Sequence, residues 1–186
     1  MKKWLLALGL TSALMVAGCS SDSAEEDTNG DSDNQTEETN TNDEQSNDEQ
    51  ATKKELLNAQ MNLKDAFKDY QAKIAAYEAA VSEEEPDPEA IKTSGEEALT
   101  AAQEASEEAS NYTVEADLSE DMKSQYQEAI SSLQAYYEEV ASALEGNVEE
   151  ADLSTADEKF TEFNDKLGEM YKEAGLLAPN MKDELS

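Results

Sequence analysis

The chain predicts an all-α fold, an antiparallel up-down four-helix bundle that follows a disordered acidic tether. Three observations lead there. From Lys53 onward, apolar residues recur at alternating steps of three and four, the spacing of a single helix face. Four such stretches are separated by short breaks that carry proline, glycine or a serine suited to cap a helix. Ahead of them, residues 20–52 contain no basic residue and only two apolar ones, Ala24 and Ala51. Nothing in that segment offsets the entropy of ordering a chain, so it reads as a tether.

The first predicted helix covers 53–82. Leu56, Leu63, Tyr70 and Tyr77 recur every seven residues, with Phe67, Ile74 and Val81 four positions on from three of them. It stops at Glu83-Glu84-Glu85-Pro86-Asp87-Pro88, because proline cannot continue a helix but suits the start of the next. The second helix, 88–112, carries a thin stripe of Ile91, Ala98, Ala102, Ala105, Ala109 and Tyr112. Gly95 sits inside it at a cost of ~1 kcal/mol relative to alanine.

The third helix, 119–145, has Met122, Tyr126, Ile130, Leu133, Tyr137, Val140 and Leu144 on one face, with Gly146 at its end. The fourth, 154–174, has Ala156, Phe160, Phe163, Leu167, Met170 and Ala174, with Gly175 as its cap. Ser119 and Ser154 each follow the tripeptide Ala-Asp-Leu and precede acidic residues, which fits N-caps beside the positive end of a helix dipole. The similarity ends after the serine, so it reads as reused capping chemistry rather than a structural repeat. Leu176-Leu177-Ala178-Pro179 is expected to fold over one end of the bundle. The three connections are short enough for antiparallel neighbours, and 53–186 is long enough for one core.

Charge excludes several functions. The formal net charge is −32, from 45 acidic and 13 basic residues, and every basic residue is a lysine. Such a chain as a whole repels nucleic acid and anionic headgroups, so no nucleic-acid partner is expected. There is no histidine, which removes the usual general base and metal ligand together. The Glu-x-x-His pairs of bundle metal enzymes cannot form. Adjacent carboxylates such as Glu96-Glu97, Glu107-Glu108 and Glu138-Glu139 do not face one another on a helix and read as solvated faces. A non-enzymatic protein without cofactor is therefore expected.

The N-terminus gives an address. Lys2 and Lys3 precede an apolar stretch, Trp4 to Val16, too short for a comfortable bilayer span of ~20 residues. It leads into Val16-Ala17-Gly18-Cys19, which holds the only cysteine. This run resembles the lipobox of bacterial lipoproteins. The resemblance implies a signal peptide over 1–18, cleavage between Gly18 and Cys19, and diacylation of the Cys19 thiol. A lipidated Cys19 with an acidic linker over 19–52 would tether a helical domain over 53–186. The linker is similar to those of Gram-positive surface lipoproteins, which implies the outer face of the cytoplasmic membrane. The partners expected are the membrane, through the diacylglyceryl group on Cys19, and an envelope protein or cell-wall component.

Two local features stand out as candidate sites. Asp27, Asn29, Asp31, Asp33, Gln35 and Glu38 fall at positions 1, 3, 5, 7, 9 and 12 of a calcium-loop spacing. The turn position that favours glycine is Ser32, and no amphipathic helix flanks the segment. Diffuse attraction of cations is the stronger expectation, and an ion-responsive acidic surface protein is the alternative function. Tyr136 stands beside Tyr137. With Tyr137 on the core stripe, Tyr136 is expected on the helix flank, covering a boundary or meeting a partner. Lys182-Asp183-Glu184-Leu185 looks like a retrieval signal but carries no weight beside a lipobox.

Overall fold

The computed structural model describes the backbone of residues 41–185 and the side chains of residues 48–185. Within them the protein is helical, with no strand. The elements are α1 (Thr41–Val81), α2 (Pro88–Asn111), α3 (Glu120–Gly146), a 3-10 turn (Val148–Glu150), α4 (Ser154–Glu173) and α5 (Met181–Leu185). α1 packs on α2, α2 on α3, α3 on α4 and α5 on α1, so the all-α expectation holds.

The apolar stripes become the core. Leu56, Leu63, Phe67, Ile74 and Tyr77 of α1 are buried. Tyr126, Ile130, Leu133, Tyr137, Val140 and Leu144 of α3 join Phe160, Phe163, Leu167 and Met170 of α4. Rings from all four helical segments touch in series. Tyr112, which closes α2, meets Phe67 at 5.7 Å between centroids. Phe67 stacks on Tyr137 at 5.8 Å, and Tyr137 meets Tyr136 at 4.9 Å. Tyr136 then lies edge-on to Phe160 at 5.0 Å, and Phe160 edge-on to Phe163 at 5.5 Å.

α1 begins at Thr41, well ahead of the expected Lys53, so residues 41–52 belong to a helix and not to a disordered tether. Once the packed part has nucleated, each further residue needs to gain only one backbone bond. The expectation of a disordered linker over 20–40 lies outside the described residues, as does that of a signal peptide over 1–18.

Helix ends follow the local chemistry with one exception. Asp87 caps α2 by accepting from Glu89 N at 3.0 Å, with Pro88 in the first turn. Ser119 caps α3 by accepting from Met122 N at 3.3 Å. Ser154 is not a cap; Leu153 takes that place, and Asp152 Oδ1 accepts from Ser154 N at 3.0 Å instead. At the end of α4, Gly175 adopts φ +71°, a left-handed conformation that costs glycine little. Leu176 N then donates to Tyr171 O at 2.8 Å and Gly175 N to Lys172 O at 2.9 Å, the double bond pattern of a Schellman cap.

The tail does more than fold over an end. Leu177 is 92 % exposed, whereas Pro179, Met181 and Leu185 are buried. Gly168 lets the returning segment lie against α4, because a Cβ there would sit 3.2 Å from Ala178 Cβ. α5 then closes the seam between α1 and α4. Its Glu184 accepts from Gln60 Nε2 of α1 at 2.7 Å. Met181 N donates to Asn164 Oδ1 of α4 at 3.0 Å, and Lys182 pairs with Asp157 of α4 at 3.5 Å.

Gly95 has a packing reason for its place in α2. It is buried where Tyr77 of α1 and Val148 of the 3-10 turn converge, and Tyr77 Oη donates to Val148 O at 2.8 Å. A Cβ at Gly95 would collide with Val148 Cγ1 and stand 3.3 Å from the Tyr77 ring. Gly95→Ala should therefore destabilise by about 1–2 kcal/mol, overpacking outweighing the helix-propensity gain of about 1 kcal/mol. Denaturant unfolding should show a clearly smaller loss in a Val148→Ala background. An equal loss in both would refute this account. Leu185→Ala should cost about 2–5 kcal/mol in the same assay, as expected for a core leucine rather than a frayed tail.

Candidate functional site

Of the residues singled out in the sequence, Cys19, Asp27, Asn29, Asp31, Asp33, Gln35 and Glu38 lie outside the described residues. The remainder resolve into core or surface. Tyr136 is 4 % exposed, so its expected place on the flank is corrected. It is buried because α4 brings Phe160 over it and α1 brings a polar partner, Gln71. The alanine face of α2 is used up in packing, with Ala98, Ala101, Ala102 and Ala105 fully buried. Leu185 of the Lys-Asp-Glu-Leu run is likewise fully buried.

The interior holds polar groups that the apolar pattern did not disclose. Gln71 Nε2 donates to Tyr136 Oη at 2.9 Å, while Gln71 Oε1 and Tyr137 Oη have no hydrogen-bond partner. Tyr171 Oη donates to Leu56 O at 2.6 Å, and the Tyr126 phenol lies beside that of Tyr171. Lys166 Nζ of α4 donates to buried Ser132 Oγ of α3 at 2.8 Å. Gln71 falls between Phe67 and Ile74 on α1, and that spacing was the available signal for its burial.

Burial raises the pKa of all seven tyrosines, desolvation of the phenolate being the largest cause in each. Tyr112 is pushed up to about 12, with Glu115 and Glu108 adding to the shift. Tyr126, Tyr136, Tyr137 and Tyr171 are raised further. These phenols stay neutral at ordinary pH.

Two surface features remain. A cleft of about 530 Å³ runs between the start of α1 and the α3–α4 pair, lined by Asp48, Glu49, Lys53, Met122, Met170 and Glu173 among others. Asp48, Glu49 and Glu173 share its walls with Lys53 and with apolar Met122, Met170 and Ala174, and no cluster of three metal-ligating side chains forms among the described residues. The outer face of α1 is different. Leu57 and Met61 are 47 % and 62 % exposed, one turn apart, and Lys54, Lys64 and Lys68 surround them. Leu57 and Met61 stand off the Leu56–Leu63 stripe, which was the sequence signal for this second row.

No family model matches the chain, and neither a curated protein nor a solved structure is significantly similar to it. Among the described residues, no helix is long and apolar enough to cross a membrane.

The tyrosine shifts set the alkaline limit of stability. Folded-state values lie above the unfolded value near 10, so their contribution is complete below about pH 10. It is lost above that, as unfolded chains shed phenolic protons that the folded core retains. Helical circular dichroism should therefore collapse above about pH 10 together with the rise of tyrosinate absorbance. Most of the tyrosinate signal appearing before any loss of helix would contradict the buried assignments.

Proposed function

We propose that this chain is a lipid-anchored, non-enzymatic, extracytoplasmic helical protein that binds or scaffolds another component of the cell envelope. The observation that carries the reading is the unique Cys19 placed directly after Val16-Ala17-Gly18, behind a basic and apolar leader. A double acyl anchor supplies the membrane attachment that a single chain gives only marginally. The chemistry beyond the leader suits a structural role. With histidine absent and the tyrosines committed to the core, the larger polar groups of the interior hold helices together.

The bundle is antiparallel and up-down in this reading. Support comes from contacts that run in opposite order between consecutive helices. Tyr77 meets Gly95 while Phe67 meets Tyr112, across α1 and α2. Gln103 bonds Glu145 while Ser106 bonds Glu138, across α2 and α3. Tyr136 meets Phe160 while Ser132 meets Lys166, across α3 and α4. Such a module offers long outward helix faces to a partner.

The lipid anchor is tested in cells with an alkyne-bearing fatty acid. The native chain should take up the label and enter the detergent phase, and Cys19→Ser should lose both behaviours while the helical domain still folds. Undiminished labelling of Cys19→Ser would overturn the lipoprotein reading.

A further inference from the structure

We infer that the outer face of α1 docks the bundle sideways onto an anionic lipid surface, an inference that rests on the lipid-anchor reading and assigns that anchored bundle an orientation. The face is assembled by helical spacing opposite the buried stripe. Lys54, Leu57, Met61, Lys64 and Lys68 follow one another at steps of three and four, all exposed, over about 21 Å of helix. Lys54 and Lys64 form no ion pair among the described residues. Asp65, within the row, is held to Lys68 at 2.7 Å, and Glu55 and Glu115 stand to one side, along the hollow that Met61 borders. Towards the end of α1 the same face continues as exposed Ala72, Ala76 and Ala79, without charge.

This arrangement stands against the grain of the molecule. Residues 53–186 hold 33 acidic and 11 basic side chains, and five of those lysines lie on α1. Net charge says that the protein repels anionic headgroups, but repulsion is local in salt. The Debye length is about 8 Å in physiological conditions and a helix is about 10 Å across. Carboxylates on the far sides of α2, α3 and α4 are thus screened from a surface that touches α1.

The shape and chemistry of the face select the occupant. It is the convex outside of a helix and not a groove, so it fits a planar, fluid partner that moulds around two apolar side chains. Lysine heads pair with lipid phosphates while their stems and the Leu57 and Met61 side chains reach the acyl boundary. A second copy fits poorly, since turning the face onto itself about Met61 sets Lys54 against Lys68. The contact is weak for a free protein, but Cys19 supplies the membrane in the same molecule. Residues 20–40 span at most roughly 70 Å when extended, so docking becomes an intramolecular event at high effective concentration.

The test uses the lipidated full chain, in which acylation caps the Cys19 thiol. An environment-sensitive fluorophore is attached through Met61→Cys, or through Ser142→Cys on the exposed side of α3 as a control. Each protein is reconstituted in phosphatidylcholine vesicles with and without phosphatidylglycerol. The label at 61 should shift to the blue and be quenched by lipid-borne quencher in the anionic vesicles only, while the label at 142 stays in water. Lys54→Glu with Lys64→Glu should weaken the docked signal at least about tenfold without releasing the chain from the vesicles. These positions are exposed, and unchanged circular dichroism confirms that the variants fold.

A label at 61 as solvated as that at 142, on vesicles that the chain still accompanies in flotation, overturns the docking and leaves the anchor standing. Failure of the chain to float with vesicles overturns both. A photoreactive group at 61 that joins a protein instead of lipid in intact cells would assign the face to a protein partner and overturn the lipid docking.

Discussion

A single series of ring contacts, from Tyr112 through Phe67, Tyr137, Tyr136 and Phe160 to Phe163, crosses the bundle and sets its interior dimensions. The chain has three phenylalanines and seven tyrosines to fill a core lean in large aliphatic residues. Rings of that size can meet only if the helix beside them is thin, and α2 supplies the thinness through its alanines and Gly95. Bulk on α1, α3 and α4 and smallness on α2 are thus two halves of one packing solution. The use of tyrosine has a further cost: each buried hydroxyl must find an acceptor or stay unpaired. Tyr77 and Tyr171 solve this by donating to backbone carbonyls of Val148 and Leu56, which tie chain segments far apart in sequence.

The remaining gap lies between α1 and α4, which α5 fills. Two fully buried side chains, Met181 and Leu185, sit on a helix of five residues, far too short to be stable alone. Its stability comes from where it lands: a carboxylate on Gln60, a backbone amide on Asn164 and a lysine on Asp157. The tail is therefore as much a part of the core as the long helices are.

Where periodicity was long, the sequence was readable. The stripe residues of α3 and α4 are buried with two exceptions, Met122 and Ala174, which are half-buried, and Pro86, Pro88 and Gly175 mark real ends, because those signals depend on local backbone chemistry. What escaped depended on neighbours distant in sequence. Tyr136 stands off the main stripe of α3, and Gln71 is a polar residue on the stripe of α1; both are buried and meet each other. Gly95 read as a weakness until Val148 stood against it. Leu153 stands in place of Ser154 at the start of α4, where Ser154 is already helical and donates its own amide to Asp152. α5 is too short for any period to be seen. The lysine row on α1 was hidden by a net charge that averages over faces the row never shares.

The seam closed by α5 also fixes an order in time. Gln60 and Glu184 are 124 positions apart, and polypeptide synthesis advances at ~5–20 residues per second. The groove of α1 that receives Met181 and Leu185 consequently waits on the order of ten seconds after it emerges before its filler exists. During that interval Leu56, Leu63 and Phe67 belong to a nascent chain that cannot yet complete its seam. Delay of this kind leaves the seam of α1 open until the last residues of the chain have been made.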